Sequence, residues 1–272
     1  MRLIKLEEDG QFRLKEFIRE DTPPYGILSH TWGADVDEIT LKDLVEGTAK
    51  GKIGYGKLLF CAKQAATDGL QWVWIDTCSI DKTSSAELSE AINSMYRWYN
   101  TSTKCYVYLS DVSFDKAEQT EQSEINEKAW ESSFRKSRWF SRGWTLQELL
   151  APKSVEFFSR EGMRLGDRRS LGPQICEITG IDHRALQTTP LYEFPVDERM
   201  SWAGARKTTR EEDMAYSLLG IFDVNMPLLY GEGRKKALTR LYREIRDSLP
   251  SDQPDPFHNK LQALELEARI NE

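Results

Sequence analysis

Four short runs rich in aromatic and β-branched residues, YGILSH (25–30), WVWIDT (72–77), CYVYLS (105–110) and VEFFS (155–159), are separated by segments with helical apolar spacing. That alternation constrains the fold more than any other feature. Tyr55–Thr67 carries Leu58, Cys61, Ala62 and Ala65 on one face and closes at Gly69. Ser84–Glu87 reads as a capping box that opens a second helix, striped by Leu88, Ile92, Met95 and Tyr99. Strands alternating with helices predict an α/β fold with a mainly parallel sheet flanked by helices. RLIKL and FRLKEF on either side of Asp9-Gly10 predict an N-terminal hairpin.

Residues 161–249 read as a helical C-terminal extension that packs on the sheet. Leu171, Ile175 and Ile178 form one stripe, Leu238, Leu241, Ile245 and Leu249 another, and Thr209–Glu212 a further capping box. Between 111 and 130 the chain is acidic and polar, as an exposed insertion would be. PSDQPDP (250–256) reads as a linker, and the last residues as a short helix leading towards a downstream module. This gives one domain over 1–249, with its core at about 25–160, followed by a 250–272 connector.

Composition removes several function classes. A formal charge of -7 disfavours an unaided grip on nucleic acid. No apolar run approaches the roughly 20 residues of a membrane span, and Met1 is followed by Arg-Leu-Ile-Lys-Leu instead of a signal-peptide core, so a cytoplasmic protein is expected. Cys61, Cys78, Cys105 and Cys176 are scattered without metal-ligand spacing and read as reduced cysteines. GEGRKK (231–236) lacks the spacing of a phosphate-wrapping loop, and no GxGxxG follows a strand.

Ligands of open parallel sheets settle outside the carboxyl ends of the strands. The first strand ends in Ser29-His30-Thr31-Trp32-Gly33, the second in Asp76-Thr77-Cys78 and the third in Ser110-Asp111. SRWFSRGWTLQELLAP (137–152) adds a helix from Gly143 to Leu150, capped by Ser141, with its leucines on one side and Trp144 and Glu148, one turn apart, on the other. One reading makes that second face a pocket wall; the other leaves Glu148 solvated and Trp144 covering another part of the fold. His30 is equally consistent with bonding a turn, Asp76 with capping its own loop, and Trp32-Gly33 with turn packing. Arg135, Lys136, Arg138 and Arg142 read either as phosphate partners or as a solvated face. A Cys78–His30 nucleophilic pair lacks an evident third group.

Taken in order, YGILSHTWG (25–33), WVWIDTCSIDK (72–82), AINSMYRWYNTSTKCYVYLSDV (91–112), SRWFSRGWTLQELLAP and REEDMAYSLLGIFDVNMPLLYGEG (210–233) resemble the signature blocks of the HET (heterokaryon incompatibility) domain. The resemblance is strongest to the N-terminal domain of fungal proteins that continue into NACHT and WD-repeat modules. It implies an effector of programmed cell death between incompatible fungal cells, self-associating when activated. A more distant likeness to TIR domains implies a flavodoxin-like sheet and cleavage of NAD(P), as substrate and with no cofactor required. By that likeness Glu148 is catalytic and Trp144 lines the pocket, although Thr145 stands where TIR helices usually have cysteine. Ser29, His30, Trp32, Gly33, Asp76 and Arg142 complete the expected substrate site. An unshifted glutamate titrates near 4.3, so Glu148 is expected to be ionised at neutral pH unless buried. The alternative function is a non-enzymatic death-signalling assembly module.

Overall fold

The architecture, obtained as a computed structural model, describes residues 1–113, 130–187, 189–250, 256–259 and 261. Most of the expected acidic insertion, most of the linker and nearly all of the last helix therefore lie outside the described residues. In chain order the strands are β1 (Arg2–Leu6), β2 (Phe12–Glu16), β3 (Tyr25–His30), β4 (Trp72–Trp74), β5 (Lys104–Tyr108), β6 (Val155–Phe158) and β7 (Arg164–Asp167). They form a single sheet in the order β2-β1-β4-β3-β5-β6-β7.

Pairing is parallel across β4-β3-β5-β6 and antiparallel for β1 with β2, β1 with β4, and β6 with β7. The sheet is therefore mixed, which corrects the expectation of a mainly parallel one. Its parallel heart was legible; its edges were not. The N-terminal hairpin is no appendage, because β1 pairs with the outer edge of β4 through Ile4 and Val73 and buries Leu3 and Ile4 completely. β7 lies in a stretch that reads as helical, and is a return strand that pairs β6 through a tight turn at Gly162, where φ is +77°.

Helices cover both faces: α1 (Leu41–Val45), α2 (Tyr55–Thr67), α3 (Asp76–Ser79), α4 (Ser85–Thr101), α5 (residues 130–135) and α6 (Thr145–Leu150) within the strand region. The extension adds α7 (Gly172–Thr179), α8 (His183–Gln187), α9 (Val196–Ser201), α10 (Asp213–Tyr216), α11 (Leu219–Phe222) and α12 (Gly233–Ser248). Successive strand residues point to opposite faces. Accordingly Leu28, Val73, Tyr106 and Phe158 meet α2 in one core, while Ile27, Trp74, Val107 and Phe157 meet α4, α6 and the extension in the other. The extension shares that second core, as expected of helices packed on the sheet.

Ser84 caps α4 by accepting from the Glu87 backbone, while the Glu87 carboxylate turns away to Arg2. Thr209 caps nothing; α10 begins at Asp213, with Glu212 before it accepting instead from the Gly231 and Gly233 backbone. α12 buries Ala237, Leu241 and Ile245, and Leu249 lies just beyond its end. Among the described residues, no helix is long and apolar enough to cross a membrane.

Candidate functional site

Across the parallel strands the spatial order is second, first, third, fourth, so the crossover from β3 runs outward to β4 and the next, from β4, reverses past β3 to β5. Doubly wound sheets take their ligands beside such a reversal, at the carboxyl ends of the strands, which here are those of β3 and β5. The Thr31 and Ser110 hydroxyls meet there at 3.2 Å.

α6 brings Glu148 to this edge. The helix is only six residues long, and its orientation comes from tertiary bonds instead of helical propensity. At its start, the Thr145 hydroxyl donates to Trp139 O at 2.6 Å, and buried Arg206 donates to Arg142 O and to Thr145 Oγ1. Gly143 enters against the extension so closely that a Cβ there would sit 2.5 Å from Thr208 Cγ2. At its end, buried Arg168 donates to Leu149 O at 2.7 Å and Asn100 to Ala151 O at 3.0 Å, satisfying carbonyls that a helix terminus leaves free.

Every residue of α6 is buried, including Gln147 and Glu148. The expected outward face of this helix therefore does not exist. Trp144 stands at its N-cap without a capping bond, and its indole donates to Asp213 of the extension at 3.2 Å. The structure thus ties Trp144 to α10 and brings other groups to Glu148. Ser141 is not the cap either; it closes the preceding 3-10 turn through Arg138 O.

Glu148 as a whole residue is 8 % exposed. Its Oε2 accepts from the Ser29 hydroxyl, whose oxygen in turn accepts from Trp139 Nε1 at 2.7 Å. The Tyr99 hydroxyl, donating to Leu28 O, lies close beside it. Burial pushes the Glu148 carboxyl up to about 8, aided by the Asp76 charge; the Ser29 and Tyr99 hydrogen bonds and the Arg142 charge oppose the shift only in part. At neutral pH the resting carboxyl is therefore mostly protonated, because the solvated environment that would ionise it is missing.

Asp76 behaves in the opposite way. Burial pushes it up, but the His30 hydrogen bond and the Lys82 and Arg142 charges overcome this and hold it well below the usual carboxylate range. Its two oxygens accept from His30 Nε2 at 3.1 Å and Trp32 Nε1 at 3.0 Å. His30 Nδ1 is buried without a partner. Lys82 Nζ lies 3.7 Å from the Trp32 ring centroid and the Arg142 guanidinium 5.6 Å from it. The Gly33 N–H donates to Glu38 at 2.6 Å, and Glu38 pairs with Lys57, which also donates to Thr31 O.

Of the expected substrate residues, Ser29, His30, Trp32, Asp76 and Arg142 gather with Glu148 at one sheet edge, while Gly33 is held through its backbone. Arg135 and Arg138 are committed to Glu131, Glu177 and Asp111, which leaves Lys136 and Arg142 from that basic run, and of these Arg142 lies by the Trp32 ring. Cys78 is no nucleophile. Burial drives its thiol far above the usual range, and the His30 nitrogen that hydrogen-bonds goes to Asp76. Trp139, Lys82 and Arg206 escaped the sequence reading, and Tyr99 figured there only as part of a core stripe. Trp139, Lys82 and Tyr99 lie inside the blocks quoted above and could have been flagged there, whereas nothing local marks Arg206. Among the described residues, no cluster suits a metal ion.

These features define a mixed α/β domain with a buried, proton-retaining carboxyl at its switch point and two cations against the nearby Trp32 ring. The family model described as Heterokaryon incompatibility protein (HET) matches residues 25–148, from β3 to Glu148 itself, and the chain belongs to that family. It is 53% identical over 265 residues to the "Vegetative incompatibility protein HET-E-1" of Podospora anserina, an alignment covering 96% of this chain and 19% of that protein. The chain thus spans about a fifth of its relative's length. No solved structure matches it.

Proposed function

We propose that this chain is the effector domain of a vegetative incompatibility protein and triggers cell death by cleaving NAD(P) at the nicotinamide–ribose bond once it self-associates. In this reading it acts in the cytoplasm, followed in the full-length protein by NACHT and WD-repeat modules, on a sheet related to that of TIR domains. One observation carries the chemistry: a carboxyl at the switch point, held by Ser29 and displaced to about 8.

Departure of nicotinamide breaks the C1′–N bond, and the electron pair leaves with a ring that becomes neutral. The ribose acquires oxocarbenium character, which a carboxylate beside it stabilises. Burial keeps Glu148 protonated at rest, and the cationic ring of the bound oxidised dinucleotide favours loss of that proton. Ser29, fixed by Trp139, aims the carboxylate. Water then adds at C1′ and releases a proton, which Glu148 accepts to regenerate its resting form; the proton it lost to solvent on substrate binding is the one net proton of the hydrolysis.

The test is nicotinamide release by the purified chain, concentrated or fused to an oligomerising partner. Wild type is expected to release nicotinamide and Glu148→Gln to lose at least 100-fold in rate, on the order of removing one key electrostatic stabiliser. Absence of release under forced clustering refutes the enzymatic reading.

A non-enzymatic assembly module is favoured instead by exposed Val36, Val45, Ile53 and Tyr192, all more than 70% accessible. On that reading Glu148→Gln remains toxic in cells, while charged substitutions at those four positions do not.

A further inference from the structure

We infer that Lys82 and Arg142 are the anion-binding pair of the Glu148 site, taking the two phosphates of a dinucleotide beside the Trp32 ring; this rests on the NAD(P)-cleaving reading above. Both cations lie against one indole, at 3.7 Å and 5.6 Å from its centroid. That indole is fixed by its own bond to Asp76. Among the described residues neither cation forms an ion pair, whereas nearby Lys57, Arg135 and Arg138 all do.

The local charge count is what makes the pair available. Asp76 is the ionised acid they face, and both its oxygens are occupied by His30 and Trp32. Two positive charges against one satisfied carboxylate leave an excess that a diphosphate neutralises. Cation–π contacts at an accessible ring are weak, so phosphate oxygens displace them readily. Charge-assisted bonds to phosphate are the stronger alternative for both a guanidinium and an ammonium.

The order of the two cations also follows. Arg142 sits in the turn that enters α6, six residues ahead of Glu148, whereas Lys82 follows α3 on the β4 side of the site. The reacting C1′ and the nicotinamide-side phosphate belong to the same ribose. Arg142 therefore takes the nicotinamide-side phosphate and Lys82 the adenosine-side one.

Calorimetric titration of the full chain with ADP-ribose, nicotinamide mononucleotide and phosphate-free nicotinamide riboside tests this. Lys82→Gln and Arg142→Gln are each expected to weaken ADP-ribose about tenfold and to flatten its salt dependence, the cost of one charge-assisted bond. Nicotinamide riboside should bind both variants as it binds wild type, and nicotinamide mononucleotide should suffer from Arg142→Gln more than from Lys82→Gln. Wild type that fails to bind ADP-ribose, or variants that bind it undiminished, overturns the pair; a reversed order with the mononucleotide overturns the assignment of ends. Nicotinamide release separates this from the parent reading. Pair-dependent ADP-ribose binding without release sinks cleavage alone, and release by both variants at wild-type KM sinks the pair alone.

Discussion

Replacing Glu148 by glutamine should make the protein more stable at neutral pH while removing its chemistry. Sequestering the carboxyl raises it from its ordinary 4.5 to about 8. Below pH 4.5 the side chain is protonated in both the folded and unfolded states and costs nothing. As pH rises from there, the unfolded chain releases the proton while the folded one retains it, so stability falls until the folded carboxyl also ionises near pH 8. At about 1.4 kcal/mol per pH unit, the loss reaches roughly 3 kcal/mol at pH 7 and about 5 kcal/mol above pH 8.

Glutamine keeps an oxygen for Ser29 but never ionises, and its extra N–H costs about 1 kcal/mol if unpaired. Urea denaturation should therefore show Glu148→Gln ahead of wild type by about 2 kcal/mol at pH 7 and level with it or slightly behind at pH 4.5. A stability difference that stays constant from pH 4.5 to 8.5 would refute the assignment of a buried, proton-retaining carboxyl. Such a cost borne by the resting fold is what a functional position shows and a purely structural one would have lost.

Two further outcomes test the packing. A Cβ at Gly220 would lie 2.0 Å from Tyr96 Cβ, so Gly220→Ala should prise α11 from α4 and cost about 3 kcal/mol or more, whereas Gly56→Ala, on the open face of α2, should be neutral or stabilise by up to about 1 kcal/mol. Thermal melts of the two variants check the contrast. Cys61, Cys78 and Cys105 are buried and Cys176 is partly exposed, so a thiol reagent should modify one cysteine in the native chain and four in urea, with Cys176→Ser abolishing the native reaction.

The alternating apolar runs determined the parallel heart of the sheet, because a strand buried on both faces must be apolar along its length and its crossover must be helical. Ser29, His30 and Asp76 could be placed at one edge for the same reason: strand ends are fixed once the strands are. The edges of the sheet were not legible. β1 is an amphipathic hairpin strand whose partner, β4, lies some 70 residues away, and RLGD (164–167) carries no strand pattern until β6 offers it an edge. At Glu148 the helical period correctly separated the carboxyl from the leucines, but it could not show what covers that side. Helical spacing ranks faces within a helix, whereas burial depends on what packs there. Here Tyr99 and Arg206 close over α6 from two distant segments, and Trp139 from the turn just ahead of it. Those contacts, made only by the tertiary fold, change Glu148 from the solvated anion its spacing suggests into a neutral acid, and they turn Trp144 towards Asp213.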